Sequence, residues 1–220
     1  MRFPLPYNSL RGVVSSMDYK DKILELADTI LEWNLVDPKD IPKIPLYMEQ
    51  VTSFFDEALS GARRNDDDKI LTKTMINNYT KEGTLPRPNG KKYSREHMIR
   101  LMYIFMLKQV LSLQDIRQMF DLLQVDRKIE PMYGAYIELV EGYKEQLRLN
   151  LVRKMERVEE KLVEKGVDTD ENFEMMLMLL TVAEATAGKM LIWRMLDGRS
   201  EERSKAKETE KEGTKSLDKK

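Results

Sequence analysis

The residues most able to do chemistry in this chain lie between positions 72 and 82. Thr74, Asn77, Asn78 and Lys81 fall at i, i+3, i+4 and i+7, so a helix over about 73–82 puts them on one wholly polar face. Met75, Ile76 and Tyr79 fall on the opposite side, where they can anchor that helix to a core. Such a division suits recognition better than catalysis. An asparagine can bond adenine N6 and N7 together in a major groove, and a threonine can bond a base edge or touch a thymine methyl. Lys73 and Lys81 are suited to phosphate contact as mobile point charges. Thr72 is placed to cap the helix, its hydroxyl accepting from a first-turn amide.

The chain that follows extends the pattern. Gly83 stands where a left-handed residue ends a helix. The stretch from Leu85 to Tyr93 holds Pro86 and Pro88 and cannot be helical, and Asn89-Gly90 is a strong hairpin signal. The expectation is a small two-stranded β-hairpin wing carrying Arg87, Lys91 and Lys92, with Tyr93 at its exit and Arg95 just beyond. Residues 70–100 hold seven cations against two carboxylates, an excess of five in a chain whose formal net charge is −1. A whole-chain basic excess, the usual footprint of a nucleic-acid binder, is absent.

Nothing comparable points to an enzyme. His97 is the single histidine and there is no cysteine, which removes disulfides and thiolate metal sites. No carboxylate pair, Ser/His/Asp set or phosphate-binding glycine loop has a spacing that forces its members together. Asp66, Asp67 and Asp68 read as a solvated loop, since a cation loop needs more ligands at alternating positions. No cofactor or metal is expected.

Around this segment the pattern is helical. Ile23, Leu26, Ala27, Ile30 and Leu31 define one face of a helix over 18–34, and the prolines at 38, 42 and 45 then stiffen a connection. A helix over about 46–59 turns Val51, Phe54, Phe55 and Leu59 inward. A polar loop spans 61–68. After the wing, Ser94 caps a helix over about 95–110 that is apolar almost all round and therefore buried. Ser112 and Asp115 form a capping box for a helix over 113–124.

The C-terminal half is expected to be two long helices. Pro131 suits the first turn of one. Its stripe Tyr136, Val140, Tyr143, Leu147, Leu151, Met155, Val158 and Leu162 advances 26 residues in seven steps, about 3.7 per step, the helical period. This helix serves either as a hairpin partner or as a dimer seam. Gly166 ends it, and a last helix runs over about 170–196. Its methionines, Met175, Met176, Met178, Met190 and Met195, favour core or interface packing over an adaptable ligand pocket, though a small-molecule effector could sit among them. The expected organisation is a flexible N-terminus over 1–17, a DNA-facing module over 18–125, a helical dimerisation or effector region over 126–197, and a disordered charged tail over 198–220. Residues 1–16 do not read as a signal peptide, Met17 is an alternative start, and no apolar run is expected to span a bilayer. The protein is therefore expected in the cytoplasm, with no membrane partner.

Ile76-x-x-Tyr79-x-x-x-Gly83-x-Leu85-Pro86, then Gly90-Lys-Lys-Tyr93-Ser94-x-x-x-Met98-x-Arg100-Leu101-x-x-Ile104-x-x-Leu107, then Leu111-Ser112-Leu113-x-x-Ile116, resembles the MerR-type winged helix-turn-helix signature over residues 72–120. The segment Leu46-Tyr-Met-x-Gln-Val51 and the run from Ile70 to Thr80 more specifically resemble a family of uncharacterised bacterial proteins, domain of unknown function 1836. The resemblance implies a mainly α fold, with a MerR-like winged module followed by a helical C-terminal extension. It also implies a transcription regulator that binds double-stranded DNA, and DNA reading favours a homodimer. Two departures stand out: Asn77-Asn78 replaces the usual Arg-Tyr, and the turn before the recognition helix is longer. The alternative is a helical protein-interaction adaptor on the same scaffold.

Overall fold

The computed structural model describes residues 16–31, 36–63, 65, 68–124 and 128–217. Seven α-helices and one two-stranded sheet are described: α1 (Ser16–Leu31), β1 (Leu46–Tyr47), α2 (Met48–Ala58), α3 (Lys73–Lys81), β2 (Lys92–Tyr93), α4 (Arg95–Lys108), α5 (Leu113–Leu123), α6 (Ile129–Lys165) and α7 (Asp170–Leu217). The expected flexible N-terminus lies outside the described residues except at its end, where α1 begins at Ser16. Asp66 and Asp67 also lie outside them; Asp68 closes its loop by accepting from the Asn65 amide at 2.9 Å.

Local chemistry sets the helix ends. The Thr72 hydroxyl accepts from the Met75 amide at 3.1 Å and starts α3. Ser112 and Asp115 exchange bonds of 3.1 Å in each direction and start α5. Gly83 and Gly166, at φ 75° and 66°, end α3 and α6 in left-handed geometry that a Cβ would strain.

The sheet differs from the expected hairpin wing. β2 pairs antiparallel with β1, Leu46 opposite Tyr93 and Tyr47 opposite Lys92, and not with the chain just before the turn. Pro86 and Pro88 explain this, because they leave that arm short of ladder donors. What remains of the hairpin is a tight turn and a single Asn89–Lys92 bridge.

α4 is the centre of the core. Met98, Ile99, Leu101, Met102, Ile104 and Phe105 are all buried, with α2, α3, α5 and the start of α6 packed around them. Arg100 is buried as well, its Nε donating to the Thr84 carbonyl at 2.8 Å and its guanidinium 4.4 Å from the Phe120 ring centre. Tyr133 fastens α6 to this core, donating to the Val36 carbonyl at 2.8 Å and meeting the Tyr103 ring edge-on at 5.6 Å.

Beyond Tyr133, α6 leaves the core as one limb of a long hairpin and α7 returns as the other. At the hairpin end Met155, Val158 and Leu162 bury against Phe173 and Leu177, with Ile23 and Leu24 of α1 alongside. Arg148–Asp28 (2.8 Å) and Lys20–Glu159 pair α1 with α6. The returning α7 meets α5, where Trp193 Nε1 donates to Asp115 at 3.4 Å and Arg203 to the Asp121 carbonyl at 3.0 Å.

Three expectations for this half change. The charged tail is not disordered over 198–217, because α7 continues to Leu217, with Arg199 and Glu202 paired one turn apart. Its Lys/Glu-rich composition is a good helix former once a packed helix precedes it. The methionine cluster, expected in core or interface packing, is not in the core, since all five of its members are exposed. Among the described residues one helix is long and apolar enough to cross a membrane, an 18-residue window of α7 reaching a mean hydropathy of 1.5. Glu184 and Lys189 break that stretch in the sequence and conceal its length.

Candidate nucleic-acid interface

α3 is anchored by one side and open on the other. Ile76 and Tyr79 are buried against the core, and burial raises the Tyr79 phenol above its ordinary pKa. Thr74, Asn77, Asn78 and Lys81 are all exposed, as their spacing requires. Met75 is not an anchor. It is 39% exposed and borders a cleft of about 610 Å³ behind α3 that Ile30, Arg63, Lys69 and Phe105 also line. Thr72 is occupied as the cap. Lys73 is exposed but bonds Glu49 at the start of α2, 2.6 Å away, and the ammonium holds the Glu49 carboxyl below its ordinary pKa.

The basic turn follows. Arg87, Lys91 and Lys92 are exposed. The Lys92 amide donates to the Asn89 carbonyl at 3.0 Å. Gly90 and Lys91, at φ 55° and 66°, are the two central residues. Two positive φ values are what a type I′ turn needs. The turn is therefore centred on Gly90-Lys91, one residue later than Asn89-Gly90, and Lys91 is held in a conformation unfavourable for a side chain. Lys92 lies over the Tyr47 ring, 5.1 Å from its centre, on the outer face of the small sheet. Tyr47 leads directly into Met48 and Glu49, so the Lys73–Glu49 pair joins the start of α3 to the start of α2, next to the strand that pairs with Lys92.

Two expected contact residues are turned inward. Strand alternation that exposes Lys92 buries Tyr93, whose ring meets His97 edge-on at 5.7 Å. Arg95 bonds Glu130 at 2.7 Å, the Pro38 carbonyl at 2.6 Å and the Ile41 carbonyl, tying the proline-rich connection and the start of α6 to the start of α4. With Arg100 also interior, two of the seven cations in this stretch leave the surface, and the local field is weaker than the count suggested.

His97 is structural. Its Nδ1 accepts from the Ser94 amide at 3.2 Å, the third residue of α4 reaching back to the cap. Burial lowers its pKa, opposed by backbone at Arg87 and Pro86.

Two contributors are absent from the expected set. Tyr47, 49% exposed, presents a ring beneath Lys92, and only the β1–β2 pairing reveals it. Arg117 of α5 donates to the Glu82 carbonyl at 2.9 Å, sealing the C-terminus of α3. Its guanidinium carbon would lie 3.3 Å from a Cβ at Gly83, so that glycine serves both the left-handed turn and the close approach.

The molecule is thus a mainly helical protein with a small two-stranded antiparallel sheet, presenting a polar helix face near a basic turn. The chain belongs to the family described as Domain of unknown function (DUF1836), whose model matches residues 36–158. That match spans both strands, helices α2 to α5, most of α6 and every residue of the candidate interface. No curated protein and no solved structure matches the chain significantly.

Proposed function

We propose that this protein is a sequence-specific, double-stranded-DNA-binding transcription regulator of MerR-like winged-helix type, acting in the cytoplasm as a homodimer. The observation that carries the reading is the two-sidedness of α3: Ile76 and Tyr79 hold it while Thr74, Asn77 and Asn78 face solvent. In this reading those three residues meet base edges. Lys81, Arg87, Lys91 and Lys92 meet phosphates, and Lys73 joins them once a phosphate displaces Glu49. Tyr93 and Arg95 support the site without touching DNA.

A protein-interaction adaptor is the competing reading. The exposed apolar length of α7 and the neutralised Lys73 favour it. Fluorescence-anisotropy titration separates the two, using random duplex and duplex from the gene's own upstream region. Tighter binding to the upstream duplex than to random duplex supports the regulator. Failure to bind either duplex at low salt leaves the adaptor.

A further inference from the structure

α7 carries an apolar stripe on the side turned away from α6. Met175, Leu179, Val182, Thr186, Met190 and Trp193 advance by four, three, four, four and three residues and so stay on one face. The five large members are between 41% and 62% exposed. The side facing α6 and α5 is already used, burying Phe173, Leu177 and Leu196. α5 meets the stripe at its Trp193 end, where the indole Nε1 donates to Asp115, and the stretch from Met175 to Met190 stays exposed. An uncharged stripe about 27 Å long, at 1.5 Å per residue, is more than a monomer's surface ordinarily leaves open.

We infer that this stripe is the seam on which a second copy of the chain docks, the two α7 helices running antiparallel about a two-fold axis near Thr186. The inference rests on the dimeric half of the reading above and names its surface. A two-fold contact must be self-complementary, and a neutral stripe meets that condition when it faces itself. The two charges between Met175 and Trp193 leave it undisturbed. Glu184 is paired with Lys154 of α6, and the Lys189 ammonium lies over the Trp193 ring of the same helix, 4.8 Å from its centre.

The helix ends set the direction. Asp168, Asp170, Glu171 and Glu174 crowd the first turns, whereas Arg194, Arg199 and Arg203 interleave with Asp197, Glu201 and Glu202 after the stripe. A parallel pair would set two acidic ends side by side; an antiparallel pair sets each against a charge-balanced segment of three arginines and three carboxylates and opposes the helix dipoles. Six residues from each copy, flanked by Met176 and Met178, supply most of the roughly 800 Å² per partner of a stable interface. A bilayer is the poorer occupant, because Glu184 and Lys189 would sit near its midplane.

Sedimentation of the full chain at micromolar concentration tests this, with twice the 25.9 kDa chain mass expected. Val182→Glu and Leu179→Glu are expected to give monomers with unchanged far-ultraviolet circular dichroism. Leu139→Glu, on exposed α6, should leave the dimer intact. The chain has no cysteine, so Thr186→Cys provides a single-site probe and is expected to form a disulfide-linked dimer on mild oxidation. A monomeric wild type overturns the inference. So does a dimer that survives both glutamate variants, or a wild type that partitions into phosphatidylcholine vesicles in place of pairing. A wild-type dimer with no DNA affinity would refute the regulator reading and leave this one standing.

Discussion

In the proposed regulator, base reading turns on Asn77 and Asn78. Each can act as donor and acceptor together, and neither side chain is held by a hydrogen bond among the described residues. Asn78→Ala is expected to weaken binding to the cognate duplex by about 1–3 kcal/mol and to leave random duplex almost unaffected. Equal loss on both would remove Asn78 from base reading. Arg95→Ala should do the reverse of a phosphate contact. It should lower stability by about 1–3 kcal/mol through the carbonyls it abandons, while the salt dependence of DNA binding stays constant.

His97 makes a pH prediction. Burial lowers its folded pKa below the ordinary 6.5, so the folded state favours neutral imidazole. That contribution is complete above pH 6.5 and is lost as pH falls toward the folded pKa. His97→Gln keeps a capping acceptor without the titration, so its melting temperature should fall less than that of wild type between pH 6.5 and 5, read by circular dichroism. Parallel curves would show that His97 contributes nothing to acid sensitivity.

At this scale the sequence revealed what is local. The Thr72 and Ser112 caps and the polar face of α3 depend on neighbours within a few residues. The inward placement of Tyr93, Arg95 and Arg100 was not legible, because their partners, Leu46, Pro38, Ile41, Glu130, Thr84 and Phe120, come from distant parts of the chain.

Among the elements, α3 and the turn after it carry the site. Ile76 is fully buried, so Ile76→Ala should cost about 2–4 kcal/mol in chemical denaturation and impair DNA binding by loosening the helix. Lys91 offers a sharper dissection, because its backbone and its charge pull in opposite directions. Lys91→Gly relieves a left-handed lysine, so stability should rise by about 1 kcal/mol while affinity for every duplex falls. A stability loss would contradict the strained turn. Element types were largely legible from hydrophobic period and caps. The partner of β2 was not, because β1 lies far back in the chain, before α2. The length of α7 was hidden by its charged continuation, which has no apolar period and is helical nonetheless.

The whole molecule is a compact head with a long helical arm. The head is closed around α4, whereas much of the arm's outer surface is apolar and uncovered. The arm leaves the head within α6, beyond Tyr133, and its exposure was not readable, since a helical stripe looks the same whether it faces a core or a second copy. In the proposed regulator it is the head that reads DNA. Each copy presents four exposed cations with no ion pair among the described residues, Lys81, Arg87, Lys91 and Lys92. Anisotropy titration of upstream duplex across a salt series measures them together. If a dimer engages all of them, the log–log slope of affinity against salt should be about −7, at roughly 0.9 per phosphate, steepening to about −9 where Lys73 also exchanges Glu49 for a phosphate, with upstream duplex preferred to random. A slope near zero, or no binding at low salt, would contradict the account.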